Sequence, residues 1–308
     1  MEMIKPEKTF CEVPYCGDIT KLDADIAVFG APHGTPYEPG VASHAAKGGD
    51  VIRGALGWFS TYEAGRDHYD FDAATLGFGG ATIADCGNVP GDLFDGIKNR
   101  DAIRKATNSI LQQGCKPLLL GGDDSVPIPF IEAFGGAGYE DVTIVQVDAH
   151  IDWREERHGE PLGFSSTMRR ASEMTHITNI VQIGARGPGS ARMEEIEAAK
   201  NWGAHLYTAC DVHARGIAPA LELVPEGSNV ILAIDVDGID PALVPGVVLP
   251  AFGGLDYQQM LDVIHGVAAR AKIVGANFVE YVPEKDPSGY GAQAIARLAS
   301  NVIAAVGA

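Results

Sequence analysis

Positive charge is scarce in this chain. Its 308 residues carry 23 Lys and Arg against 41 Asp and Glu, a formal net charge of −18. No basic stripe is present to displace counterions from a phosphate backbone, so nucleic acid is not expected as a partner. The acidity suits a cationic substrate, and bound divalent metals would offset part of it. Surface acidity for solubility explains the balance equally well, so charge alone decides little. Paired cysteines are also missing. Cys11, Cys16, Cys86, Cys115 and Cys210 form no Cys-x-x-Cys, and an odd, scattered set indicates reduced thiols in a cytosol rather than a disulfide framework. No apolar run approaches the ~18 residues of a membrane span, and the opening Met-Glu-Met-Ile-Lys-Pro-Glu-Lys lacks an apolar leader core. The expectation is a soluble, cytoplasmic protein with no membrane contact. Linkers, internal repeats and low-complexity tracts are absent too, which leaves one domain over residues 1–308. Residues 1–25 hold no convincing periodic element and are expected to pack on the surface or at an oligomer contact.

What the chain does have is apolar material, 46% of its residues, enough for a large core. Strand-like runs recur at Ile26–Gly30, Thr82–Cys86, Pro117–Leu120, Val142–Val147, Ile177–Ile183, His205–Thr208, Val230–Ile234 and Ile273–Val279. Helical patterns fall between many of them, at Asp101–Gln113, Pro127–Phe134, Ser190–Trp202, Tyr257–Ala271 and Ala292–Ala305. Strands alternating with helices predict an α/β fold of three layers, a mainly parallel sheet covered on both faces. Ligands of such sheets sit beyond the carboxyl ends of the strands. The connection from Pro32 to Gly80 is long and rich in Gly, His and Tyr, which suits a lid or a pocket wall. It carries His33, His44 and His68, although a single loop histidine is more often solvated or structural.

Two strand ends are unusually acidic. Val145–Val147 runs into Asp148, His150 and Asp152 at alternate positions, which share one face of an extended chain. Ile231–Ile234 leads into Asp235 and Asp237, followed by Asp240-Pro241. One such Asp merely marks a turn, but two spaced sets are costly to bury without a counter-charge. A metal supplies one, and this many carboxylates suit two divalent ions better than one.

After Pro117–Leu120 comes a glycine turn, Gly121-Gly122-Asp123-Asp124-Ser125. With Asp148-Ala-His150-Ile-Asp152 and Asp235-Val-Asp237-Gly-Ile-Asp240-Pro241, in this order, it resembles the ureohydrolases: arginase, agmatinase and their guanidino-acid relatives. Gln182-Ile-Gly184-Ala-Arg186-Gly187, Gly253-Gly254-Leu255 and Val279-Glu280 look like further landmarks of that family, and the agmatinase-like branch is the nearest in pattern. The resemblance implies a sheet of about eight strands and two Mn²⁺ at the strand ends. Asp148 and Asp235 would bridge the ions, Asp152 would complete one shell, and His150 and Asp237 the other. Carboxylate-rich sites suit hard ions. Two ions roughly 3.5–4 Å apart can hold hydroxide near neutral pH, which would attack a guanidinium carbon and release urea and an amine. Glu280 would pair with the planar guanidinium. His158, followed by Gly159, would protonate the leaving amine, unless it is a surface histidine of the charged Arg154–Arg157 loop. Trp153, directly after Asp152, fits a pocket wall and plain packing equally well. The family also implies a homotrimer or homohexamer.

Three departures stand out. Asp124 occupies the place of a usual His ligand. It could ligate as a carboxylate, the site could prefer Ni²⁺, or the first metal position could be weak, leaving a silent subunit that associates with an active paralogue. Val244-Pro-Gly-Val-Val-Leu-Pro250 replaces a segment with two threonines by an apolar one, and His33-Gly-Thr35 and Ser43-His-Ala45 replace an Asp and an Arg-rich segment. The substrate the resemblance implies is a small guanidino compound, agmatine or a guanidino acid; all three departures fall where substrates are read and point away from agmatine alone. Guanidine, alkylguanidines or a biguanide are the alternatives.

Overall fold

The computed structural model describes residues 2–56 and 68–307; part of the long connection, residues 57–67, lies outside them. Eight strands form one sheet in the order β4-β1-β5-β10-β9-β6-β7-β8, and every pairing in it is parallel. They are β1 (Ile26–Gly30), β4 (Ile83–Asn88), β5 (Lys116–Leu120), β6 (Val142–Val147), β7 (Ile177–Ile183), β8 (His205–Tyr207), β9 (Asn229–Asp235) and β10 (Lys272–Val279). A separate antiparallel ribbon, β2 (Tyr69–Asp70) with β3 (Thr75–Leu76), lies in the long connection.

Both faces of the sheet are covered, which is why its strands read as continuous apolar runs rather than alternating ones. In β6, Val145 and Val147 join one core cluster while Val142 and Ile144 join the other. Each such burial contributes about 1.5–3 kcal/mol. The helix Tyr257–Arg270 shows the local logic of the outer layers. Asp256 caps it by accepting from the Gln259 amide, Gln259 caps in return, and Met260, Leu261, Val263, Ile264 and Val267 form the buried stripe.

Strand order decides where chemistry can happen. The neighbours β5, β10, β9 and β6 carry, at their carboxyl ends, Asp124, Glu280, Asp235 with Asp237, and Asp148 with His150 and Asp152. Parallel pairing puts these four ends on one edge. The turn after β5 is bent by Gly121 and Gly122, both at positive φ (85° and 82°); a Cβ on Gly121 would sit 2.5 Å from Gly49 N and one on Gly122 2.4 Å from the Ala31 carbonyl oxygen. Only glycine lets the backbone come that close.

Beside this edge lies the segment after β1. Its short helix, Gly48–Gly54, has no room for a side chain at Gly48 or Gly49, where a Cβ would approach the Tyr281 and Leu120 carbonyl oxygens to 2.5 Å. Arg53 locks the helix from behind. Fully buried, it donates to Asp85 Oδ2 at 2.8 Å and to Asn88 Oδ1 at 2.7 Å. Asp85 also accepts from the Phe10 amide at 2.9 Å, so the N-terminal extension is tied in at the same point, with Phe10 and Cys11 in the core. None of the described helices is long and apolar enough to cross a membrane.

Candidate metal centre

β6 ends at Val147, one residue before the first acidic position, so Asp148, His150 and Asp152 are not on an extended strand. Asp148 Oδ1 accepts the His150 amide at 2.6 Å, closing a tight turn, and Asp152 adopts φ 51°. A carboxylate capturing the amide two residues on competes with the ladder and stops the strand. The side chains converge all the same. Asp235 repeats the device: its Oδ1 accepts the Asp237 amide at 2.8 Å, and Val236–Gly238 coil into a 3₁₀ turn. The two turns interlock, since Asp237 Oδ1 accepts the Ala149 amide at 3.1 Å.

Two ligand groups result. Asp148, His150 and Asp237 bring one donor atom each within 4.8 Å of one another, and so do Asp124, Asp148 and Asp235. Asp148 belongs to both, as a bridging carboxylate must; Asp235 falls in one. Asp152 lines the same cavity, close enough that its carboxyl raises those of Asp124 and Asp148. Asp124 is buried, its Oδ2 has no hydrogen-bond partner among the described residues, and its amide and carbonyl are held by Glu280 and the Thr167 hydroxyl. A buried carboxylate oxygen without a donor calls for a cation. The residues therefore fit a pair of divalent ions, and Asp124 is short yet reaches its group.

So many buried carboxyls in one place compete for protons as well as for ions. Burial, and then the charges of their neighbours, push the carboxyls of Asp124, Asp148 and Asp235 well above the usual range. For Asp237 burial pulls the same way, but the hydrogen bond and charge of His150 outweigh it and hold the carboxyl low. His150 rises to about 9, against burial, through Asp237 and the other carboxylates. Ligands must shed these protons to bind metal. Mn²⁺ affinity should therefore strengthen steadily from pH 6 to pH 9 with proton release on binding. Calorimetry in buffers of different ionisation enthalpy measures that release; pH-independent affinity would show that the ligands are already ionised.

Glu280, directly after β10, sits at φ 69° with 7% of its surface exposed. Its Oε1 accepts the Asp124 amide at 2.8 Å and its Oε2 meets His44 Nε2 at 2.5 Å. Burial raises the Glu280 carboxyl, partly offset by His44; His44 is raised despite burial because Glu280 outweighs it. Both groups thus end raised, and the proton is shared between the two rather than held by either alone. His44 is the functional candidate that sequence reasoning passed over as an ordinary loop histidine. Only its place in a segment that departs from the family pattern hinted at a role.

The carboxylates floor a cavity of about 350 Å³ whose walls include Trp153, Arg157, Phe164, Val248 and Leu249. A second cavity of about 240 Å³ adjoins it across His44, Arg157 and Phe164. His158 lines this second space and not the first. It is exposed, at φ 55°, with its ring edge-on to Tyr37 at 6.4 Å. The structure thus brings six expected ligands and Glu280 together and leaves His158 one chamber away.

A family model described as "Arginase family" matches residues 24–306. The chain belongs to the arginase family. It is 32% identical over 271 residues to an agmatinase of Bacillus subtilis (strain 168), covering 86% of each chain. It is 31% identical to a guanidinobutyrase of Pseudomonas aeruginosa, covering 72% of this chain and 70% of that protein. The fold matches the proclavaminate amidino hydrolase of Streptomyces clavuligerus with a TM-score of 0.82, at 24% identity over 97% of each chain. Membership makes this an arginase-family ureohydrolase, and the family implies a binuclear divalent centre of the kind that these Asp and His ligands fit.

Proposed function

We propose that this protein hydrolyses a small guanidino compound, adding water across the C–N bond to give urea and an amine. The observation that carries the reading is the pair of ligand groups sharing Asp148 on the floor of a cavity that Glu280 also lines. Two bound ions, Mn²⁺ by the hardness of the donors with Ni²⁺ as the rival, would supply counter-charge and activate water near neutral pH. The chain does the rest. Glu280, pinned by the Asp124 amide, presents Oε2 to the guanidinium, which replaces the His44 ring there. Trp153 and Phe164 wall the reacting carbon from bulk water. His158, at the neighbouring chamber, is placed to hand a proton to an amine leaving in that direction.

The far end of the substrate meets Arg157. Its guanidinium lies 5.1 Å from the Tyr37 ring centroid and 5.8 Å from that of Phe164, a cation held by two aromatic faces. A positive charge there disfavours the ammonium of agmatine and suits a carboxylate, so a guanidino acid is the first reading. Val248 and Leu249 favour the second, an alkylguanidine or biguanide. Arg157→Glu should shift the kcat/KM ratio of agmatine over guanidinobutyrate upward by roughly tenfold or more, about 1.4 kcal/mol; an unchanged ratio would remove Arg157 from substrate selection.

Urea release from a panel of agmatine, arginine, guanidinobutyrate, guanidinopropionate, guanidine and alkylguanidines tests the whole reading, with protein loaded separately with Mn²⁺ and Ni²⁺ and its metal counted. Turnover with two ions per chain supports it. No turnover with fewer than two ions would favour a silent subunit of a hetero-oligomer over the homotrimer or homohexamer that accompanies an active enzyme.

A further inference from the structure

Behind the acidic cluster three buried side chains form a file. Gln146 on β6 and Gln182 on β7 are directly opposed in the parallel register, and both are 1% exposed. The Trp153 indole Nε1 donates to Gln182 Oε1 at 2.7 Å. Gln182 Nε2 donates to Gln146 Oε1 at 2.5 Å and to the Ile151 carbonyl at 2.8 Å. Gln146 Nε2 then donates to Asp148 Oδ2 at 2.7 Å and to Asp152 Oδ2 at 3.0 Å. An amide can present either end, so the direction of such a file has to come from groups that cannot turn round. The indole only donates and the Ile151 carbonyl only accepts. Between them they orient Gln182, and Gln182 orients Gln146.

We propose that Trp153, Gln182 and Gln146 are positioning residues whose one-way hydrogen bonds hold Asp148 and Asp152 in the orientation that receives the metal ions. Each carboxylate oxygen keeps a further lone pair for an ion, so the bonds from Gln146 fix the carboxylate planes without competing for them. If the file ran the other way, Gln146 Oε1 would point at two carboxylates. Their planes would turn away and their mutual repulsion would lose its only shared donor among the described residues. Trp153 thus acts on the centre through two intervening side chains, although its ring also walls the cavity.

The inference rests on the metal-centre reading, and Mn²⁺ titration of the full-length, metal-stripped protein by calorimetry separates the two. The deciding variant is Gln182→Glu, which touches no ligand, accepts from Trp153 and forces the Gln146 amide to turn. Mn²⁺ affinity should fall about 10- to 100-fold, with both equivalents recovered at excess Mn²⁺. A folded Gln182→Glu protein that binds Mn²⁺ like the parent overturns the proposal. If that variant does not fold, Trp153→Phe keeps the packing and removes the fixed donor; several-fold weaker binding supports the proposal and parental binding overturns it. A parent that binds no Mn²⁺ would end the metal-centre reading itself.

Discussion

Replacing Glu280 by Gln is expected to lower kcat/KM by roughly 10²- to 10³-fold, the loss of about 3–4 kcal/mol of charge-assisted interaction with a reacting group, while two ions per chain stay bound. The reason lies in what Glu280 touches. Its carboxylate contacts His44 and the Asp124 amide and belongs to neither ligand group. A neutral amide keeps the shape, loses the charge that attracts a guanidinium, and offers only one acceptor for a two-point pair. Steady-state kinetics on the best panel substrate, with metal counted on the same sample, decides it. If Glu280→Gln turns over normally with full metal, the guanidinium is gripped elsewhere and His44 becomes the group to pursue.

Asp124→Ala should remove an ion. Occupancy is expected to drop from two equivalents to about one and activity by at least ~10³-fold, because a two-ion site deprived of one ion loses most of its water activation. The surviving ion is the one held by Asp148, His150 and Asp237, none of which depends on Asp124. Asp124→His should restore the second equivalent, since imidazole is an equally acceptable donor for Mn²⁺ or Ni²⁺. Unchanged occupancy and activity in Asp124→Ala would mean that the unpartnered Oδ2 is not a ligand and that the first position is filled without it.

Much of this architecture was legible beforehand. All eight strands of the sheet lie within two residues of their expected limits, because runs buried on both faces carry no competing signal. Boundaries moved where a single side chain decides them. The expected helix Asp101–Gln113 begins instead at Gly96, capped by Asp95 on the Lys98 amide, and the expected Ser190–Trp202 starts at Met193. Short helices such as Gly48–Gly54 and Thr167–Ala171 are too brief for periodicity to register. The ligand residues could be read from spacing because each set is local in sequence. The contact of His44 with Glu280 spans 236 positions, and nothing local encodes it. The same holds for the orientation of Gln146, which is set through Gln182, 36 positions away, by the Trp153 indole.

The ion-holding candidates and Glu280 stand at the ends of four adjacent strands, whereas His44, Arg157, Phe164, Val248 and Leu249 arrive on the segments between elements. This separation has an evolutionary consequence. Substitutions in those segments alter what the cavity admits without disturbing the sheet edge that carries the ion-holding groups. A lineage can therefore explore new guanidino compounds by drift in its connecting segments, one residue at a time, while the hydrolytic chemistry is inherited intact.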